Sequence, residues 1–190
     1  MFYMGLILML GRIQSIKENQ LDEALEFVKQ VFTDSEGEES GELVKNLVKE
    51  IRSKKYYIPD LELVMVNEED EIIGFCMFSR FHIEGRYENE FVLLSPVAVK
   101  TSLQRRHISK DLIEYGLTKA REFGFTFCMV EGNPLNYRPR GFKTSCDYNV
   151  FADESIELPA PECLMIQELV PGALKDVHGY LNYKFYDALR

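Results

Sequence analysis

Apolar positions along this chain recur at two spacings, and the spacings change in blocks. Leu6 to Gln14 is apolar and strand-like. Leu21, Ala24, Leu25, Val28 and Phe32 then repeat at helical spacing, and Asn19 stands where a cap for that helix is needed. Thr33 to Gly41 is acidic and contains Gly37 and Gly41, so a loop is expected. A second helix is predicted where Leu43, Val44, Leu47, Val48 and Ile51 share one face. Leu61 to Val66 and Glu71 to Ile83 are apolar runs around Asn67-Glu68-Glu69-Asp70, the pattern of a β-hairpin with a short polar turn. Glu84 to Asn89 reads as a loop and Glu90 to Val99 as the next strand.

From His107 to Phe123 the period is again helical, with Ile108, Leu112, Tyr115, Gly116, Ala120 and Phe123 expected to face the core. Gly124 follows as the glycine that ends the helix. Phe125 to Val130 is an apolar strand, and Pro134 to Arg140 a short turn or helix. Cys146 to Phe151 and Cys163 to Leu169 are weaker strand candidates on either side of a Pro-containing loop. No repeat, low-complexity segment or composition shift marks a second domain. Residues 1–190 are therefore expected to form one domain, with a core over 6–152 and a late strand and tail over 159–190. Antiparallel runs around one central strand–helix–strand crossover imply an α+β fold, a mixed, mostly antiparallel central sheet with helices on both faces.

Composition narrows the partners. The 190 residues are 46% hydrophobic and 28% charged, ordinary for a globular domain with a real core. The formal net charge of −9 speaks against nucleic acid, whose phosphates reward Lys and Arg. Cys76, Cys128, Cys146 and Cys163 are far apart, and His82, His107 and His178 add no zinc-ligand spacing, so no metal is expected. Cys76 and Cys128 sit in apolar runs and read as small buried hydrophobes, and a reducing, cytoplasmic setting fits them. Met1 to Leu10 lacks a basic leader and a cleavage site and reads as the start of the first strand, not a signal peptide. No stretch is long enough to cross a bilayer, so no membrane partner is expected.

The chemistry gathers where the Glu90 to Val99 strand runs into Gln104-Arg105-Arg106-His107-Ile108-Ser109 and the helix begins. A loop that opens into a helix offers free backbone N–H groups and a positive field, the two things a pyrophosphate needs. Arg105, Arg106 and Lys110 sit at a helix N-terminus, where cations oppose the macrodipole unless an anion joins them. The segment resembles the central motif of the GNAT superfamily of acyl-CoA-dependent N-acetyltransferases: Val99 matches the strand end and Gln104 the first loop position, while His107 and Ser109 occupy the two glycine positions. Phe91 to Val99, the helix to Gly124, Asn133-Pro134, Tyr137, Gly141-Phe142 and Leu169-Val170-Pro171-Gly172-Ala173-Leu174 follow the order of the YhbS-like branch of that superfamily. The resemblance implies the GNAT fold, acetyl-CoA as co-substrate, and cofactor contacts from Val97, Ala98, Val99, Gln104, Arg105, Arg106, His107, Ile108, Ser109 and Asn133. If position 107 needs a left-handed backbone, a non-glycine residue there costs roughly 1–2 kcal/mol.

Acyl transfer to an amine requires that the amine lose a proton, the thioester carbonyl be polarised and the thiolate be protonated. The resemblance assigns the carbonyl to main-chain N–H groups of Val97 to Val99, and the thiolate to Tyr137, four residues before Gly141. Arg138-Pro139-Arg140 departs from the branch, which keeps Gly, Arg and an aromatic there. Glu131, after its strand, and Glu90, at the start of the preceding one, are candidate bases acting through water. No cysteine has a visible activating partner, so transfer is expected by direct attack in a ternary complex. The other reading is a non-catalytic GNAT-fold module that senses acyl-CoA or serves in interaction. The acceptor, a small-molecule or peptide amine, is not readable, although the acidic Asp34 to Glu42 segment would favour a cation. Phe185, Tyr186 and Leu189 are expected to dock on the domain or on the partner of a homodimer.

Overall fold

The computed structural model describes residues 11–189, so Met1 to Leu10, including the start of the first expected strand, lies outside the described residues. The elements are β1 (Arg12–Ser15), α1 (Leu21–Glu36), α2 (Glu38–Ser53), β2 (Glu62–Val66), β3 (Ile72–Arg80), β4 (Phe91–Val99), α3 (Ile108–Glu122), β5 (Phe127–Glu131), α4 (Pro134–Tyr137), β6 (Lys143–Thr144), β7 (Val150–Ala152), β8 (Leu164–Glu168) and β9 (Gly179–Leu181). A seven-stranded sheet runs in the order β1-β2-β3-β4-β5-β8-β6, and β7 pairs with β9 beside it. In the large sheet β4 and β5 are parallel and the other neighbours antiparallel. Parallel neighbours need a crossover, and α3 supplies it. The mixed, mostly antiparallel sheet with helices on both faces is thus the fold this chain adopts.

One core lies on the α1–α2 side and holds Val28, Val48, Ile51, Phe75, Met77 and Phe91. The other lies under α3 and holds Leu63, Phe78, Leu94, Leu112, Ile113 and Cys128. Cys76 and Cys128 are fully buried there, as the apolar runs imply, and burial pushes both thiols up. The tail folds back on the first core: Tyr186 is buried and stacks on Phe81, and Phe185 lies against Tyr56.

Four expectations need correction. Thr33 to Gly41 is helix on both sides of Gly37, whose φ of +100 makes the corner between α1 and α2. Gly41 is a packing glycine: a Cβ on it would stand 2.1 Å from Thr33 Oγ1 and 2.7 Å from the Lys29 carbonyl. Asn19 does not cap α1; buried Gln20 does the local work, accepting from the Lys17 N–H at 3.2 Å. Tyr115 and Phe123 are exposed, because the inward stripe of α3 turns through Ile113 and Leu117 instead. Cys146 to Tyr148 is a 3-10 turn, and the strand there is only Val150–Ala152.

Polar atoms also tie α2 to the sheet. Glu62, fully buried, accepts from Arg52 Nη2 at 2.5 Å and from the Tyr57 hydroxyl at 2.6 Å, while Arg52 Nη1 donates to the Leu21 carbonyl at 3.1 Å. Removing one partner strands a buried charge, so Arg52→Ala is expected to lower the unfolding free energy by about 3–5 kcal/mol in urea titration. The double variant Arg52→Met/Glu62→Leu should recover most of that loss, and an Arg52→Ala variant as stable as the parent would contradict this assignment.

Candidate active site

β4 and β5 pair only over Phe91–Phe127, Val92–Cys128 and Leu93–Met129, and then part. Beyond Leu93, β5 stays bonded to β8 and β4 to β3. At the parting point Ser95 and Pro96 together face Met77, a bulge that suits a proline with no N–H to give. Lys100 donates to the Ile73 carbonyl at 3.0 Å, in register with Ala98 opposite Phe75. Because backbone directions alternate, the Ala98 amide also points to β3, and those of Val97 and Val99 point into the gap. Of the three residues expected to offer amides, two face the opening and one is committed to the sheet.

After β4 the chain makes a 3-10 turn over Thr101–Leu103 and enters α3 through two left-handed residues, Arg105 at φ +63 and His107 at φ +67. His107 is therefore held in the conformation that a glycine would adopt without cost. Histidine tolerates it better than most side chains. The amides of His107, Ile108 and Ser109 belong to the first turn, which has no internal acceptors, and they bond to none of the described residues. Mixed left- and right-handed residues before a helix make a concave row of N–H groups suited to an anion.

This row lines a cavity of about 640 Å³ with Val97, Val99, Gln104, Arg105 and Arg140 on its walls and Val31, Phe32, Ser35 and Glu36 of α1 opposite. Arg106 is exposed and is not among its lining residues. Arg140, which the sequence reading passed over, is: its Nη2 donates to Ser109 Oγ at 3.2 Å, and its buried Nε has no partner among the described residues. The signal was present as the departure Arg138-Pro139-Arg140 from the family pattern. The α-helix ends at Tyr137, before Pro139, which falls in the first turn of the 3-10 segment that follows, where no N–H is needed.

A second cavity, about 460 Å³, adjoins the first and shares Phe32, Glu36, Val97, Asn136 and Tyr137 with it. It lies between α1–α2, the parted ends of β4 and β5, and the tail residues Tyr183, Tyr186 and Leu189. Tyr137 thus stands at the junction. Its ring meets Phe142 edge-on at 5.8 Å and covers Gly132, where an added Cβ would come within 2.6 Å of it. Burial raises its hydroxyl to about 12, against the pull of Arg140, so it stays protonated at neutral pH. Glu131 lines the second cavity and keeps an exposed edge; burial of its carboxyl group raises its pKa, opposed by a hydrogen bond from the Tyr183 hydroxyl. Asn133 also lines the second cavity, but its side chain caps α4 by accepting from the Leu135 N–H at 2.9 Å. Glu90 lines neither cavity. Among the described residues no cluster of His, Cys, Asp and Glu could hold a metal, and no helix is long and apolar enough to cross a membrane.

Residues 23–146 match the family model described as "Acetyltransferase (GNAT) family". The Escherichia coli K12 protein named "Uncharacterized N-acetyltransferase YhbS" is 27% identical over 124 residues, covering 65% of this chain and 71% of that protein. The crystal structure of YhbS from Escherichia coli in complex with CoA shares the fold at a TM-score of 0.79 and 20% identity, covering 92% of this chain and 90% of that one. A GNAT family acetyltransferase from Brucella melitensis, in complex with acetyl-CoA, follows at 0.69 and 23% identity, covering 94% and 97%.

The left-handed backbone at position 107 is open to a direct check. A β-branched residue is a poor fit at positive φ, so His107→Val is expected to destabilise the fold by about 1–2 kcal/mol, whereas His107→Gly should be neutral or stabilising. Chemical denaturation of both variants measures this, and a His107→Val protein as stable as His107→Gly would place residue 107 outside the left-handed region.

Proposed function

The chain belongs to the acetyltransferase (GNAT) family, and from that premise we propose that it moves an acetyl group from acetyl-CoA to a primary amine by direct attack in a ternary complex. The observation that carries this reading is the pair of adjoining cavities of opposite character that meet at Val97 and Tyr137. One is lined by Arg105, His107 and Arg140 beside unbonded amides; the other has carboxylates as its only charged lining residues, Glu131 and the Glu36 that both cavities share.

The first cavity fits a CoA thioester on its own chemistry. Free amides at His107, Ile108 and Ser109, the orphaned Arg140 Nε and the Arg105 side chain supply donors and positive charge for a pyrophosphate. The open edge of β4 at Val97 and Val99 can pair with the amides of a pantetheine arm, as a peptide pairs with a sheet edge. Gln104 adds a polar side chain at the loop's start. When bound, acetyl-CoA supplies the acetyl group as an activated thioester.

The remaining work falls to three sets of residues. The gap-facing amide of Val97 donates to the carbonyl oxygen as negative charge develops on it, while that of Val99, two residues further along the strand, is left to the pantetheine arm. Glu131, through water, takes the proton from the amine, and its raised pKa brings it nearer to the working pH. Tyr137, protonated and without a hydrogen-bond partner among the described residues, gives its proton to the leaving sulfur. The amine nitrogen gains its bond to the acetyl carbon as the carbon–sulfur bond breaks; an acceptor that arrives as ammonium sheds two protons in all, one made up on the sulfur by way of Tyr137 and one released to water by way of Glu131. Buried, protonated Cys76 and Cys128 have no part in this.

Thiol release from acetyl-CoA with a panel of amines tests the reading. Tyr137→Phe is expected to lower kcat by roughly 10²-fold or more while leaving acetyl-CoA affinity within a few-fold. The acidic limb of the parent's pH profile should lie above the ordinary carboxylate range, because Glu131 must lose a proton whose pKa is raised, and it should vanish in Glu131→Gln. No alkaline limb from Tyr137 should appear at pH 7–10, since it ionises only near 12. A Tyr137→Phe variant with unchanged turnover would remove that residue from the mechanism.

A further inference from the structure

The second cavity carries information about the acceptor that neither the family nor its relatives supply. Its apolar wall includes Val44, Leu47, Ile51 and Leu93, all buried in the core, and the polar side chains of Ser95, Asn133, Asn136 and Tyr183 also line it. Its charged lining residues are carboxylates only, Glu36 beside the junction with the first cavity and Glu131 at the end of β5. No Arg, Lys or His lines it, whereas the adjoining cavity presents Arg105, His107 and Arg140.

Resting on the reading above, we infer that the acceptor is a primary amine carried on an apolar body, hydrocarbon or aromatic, with no carboxylate or second ammonium of its own. The ammonium group would be drawn to Glu131 and lose a proton there, while the rest of the molecule replaces water against the Leu, Ile and Val wall. An acceptor with its own carboxylate would meet two like charges and no cation, and a polyamine would set charged groups along the Leu, Ile and Val wall. The tail contributes Tyr183, Tyr186 and Leu189 to the lining, with Tyr186 anchored on Phe81. A small molecule fits a cavity of about 460 Å³.

The test compares kcat/KM for phenethylamine and hexylamine with that for spermidine, lysine and a short peptide with a free N-terminus. The apolar amines should lead by at least about 10-fold. A second arm uses Leu43→Lys. Leu43 lines the cavity yet is 43% exposed, so the change is expected to leave the fold intact. It should raise the hexylamine KM by about 10-fold and leave the acetyl-CoA KM unaltered, because it sets a cation in the acceptor's path. Preference for spermidine, lysine or the peptide, or an unmoved hexylamine KM in Leu43→Lys, would overturn the inference and leave acetyl transfer standing. Thiol release with none of the amines would instead overturn acetyl transfer itself, and the acceptor assignment with it.

Discussion

Two neighbouring parallel strands that separate after three residue pairs cannot satisfy their own backbones, and this constraint organises the molecule. β4 keeps β3 and β5 keeps β8, but between them an edge is left open at Val97 and Val99. An open edge in the middle of a sheet is tolerable only where something polar can reach it. The elements around the gap follow from it. α3 crosses over from β4 to β5 and brings its N-terminus to one side, α4 sets Tyr137 at the mouth, and α1, α2 and the tail enclose the other side. The Ser95-Pro96 bulge marks where the partnership with β5 ends, and a proline there gives up no hydrogen bond.

Charge is divided across this gap. A chain with a net charge of −9 concentrates Arg105, His107 and Arg140 around the first cavity and leaves only carboxylates around the second. That division matches the proposed chemistry, in which a polyanionic donor and a cationic acceptor meet from opposite sides. The loop takes its left-handed turns without the family's glycines. His107 takes the left-handed geometry directly, at a cost of roughly 1–2 kcal/mol in general terms, and its amide remains available. Arg140, from the turn after α4, adds a guanidinium next to Ser109.

The fold was largely legible because its signals are local. The period of α3, the glycine at 124 and the apolar runs of β2 to β5 each follow from residues close in sequence, and together they define the crossover. What escaped depends on contacts between distant segments. Gly41 looks like a loop residue until α1 is packed against it. Tyr115 and Phe123 fit the helical period, but the sheet selects Ile113 and Leu117. At the site, the loop and Tyr137 are legible through the resemblance to the family's motif, and the structure brings Tyr137, Gln104, Arg105, His107, Ile108 and Ser109 to one cleft. Arg106 and Ala98 were not separable from their neighbours by spacing, since only backbone direction turns one to solvent and the other to β3. Arg140 and Tyr183 lie far in sequence from the atoms they face.

The central claim is that the amide row at the start of α3, with Arg105 and Arg140, holds a CoA pyrophosphate. Calorimetric titration of acetyl-CoA into the parent protein and into Arg105→Ala, Arg140→Ala and Arg106→Ala tests it most directly. The account predicts saturable one-to-one binding on the order of micromolar. Affinity should weaken in the first two variants and hold in the third, whose side chain lies outside the cleft. Absence of binding up to millimolar ligand, or equal weakening by all three substitutions, would contradict it.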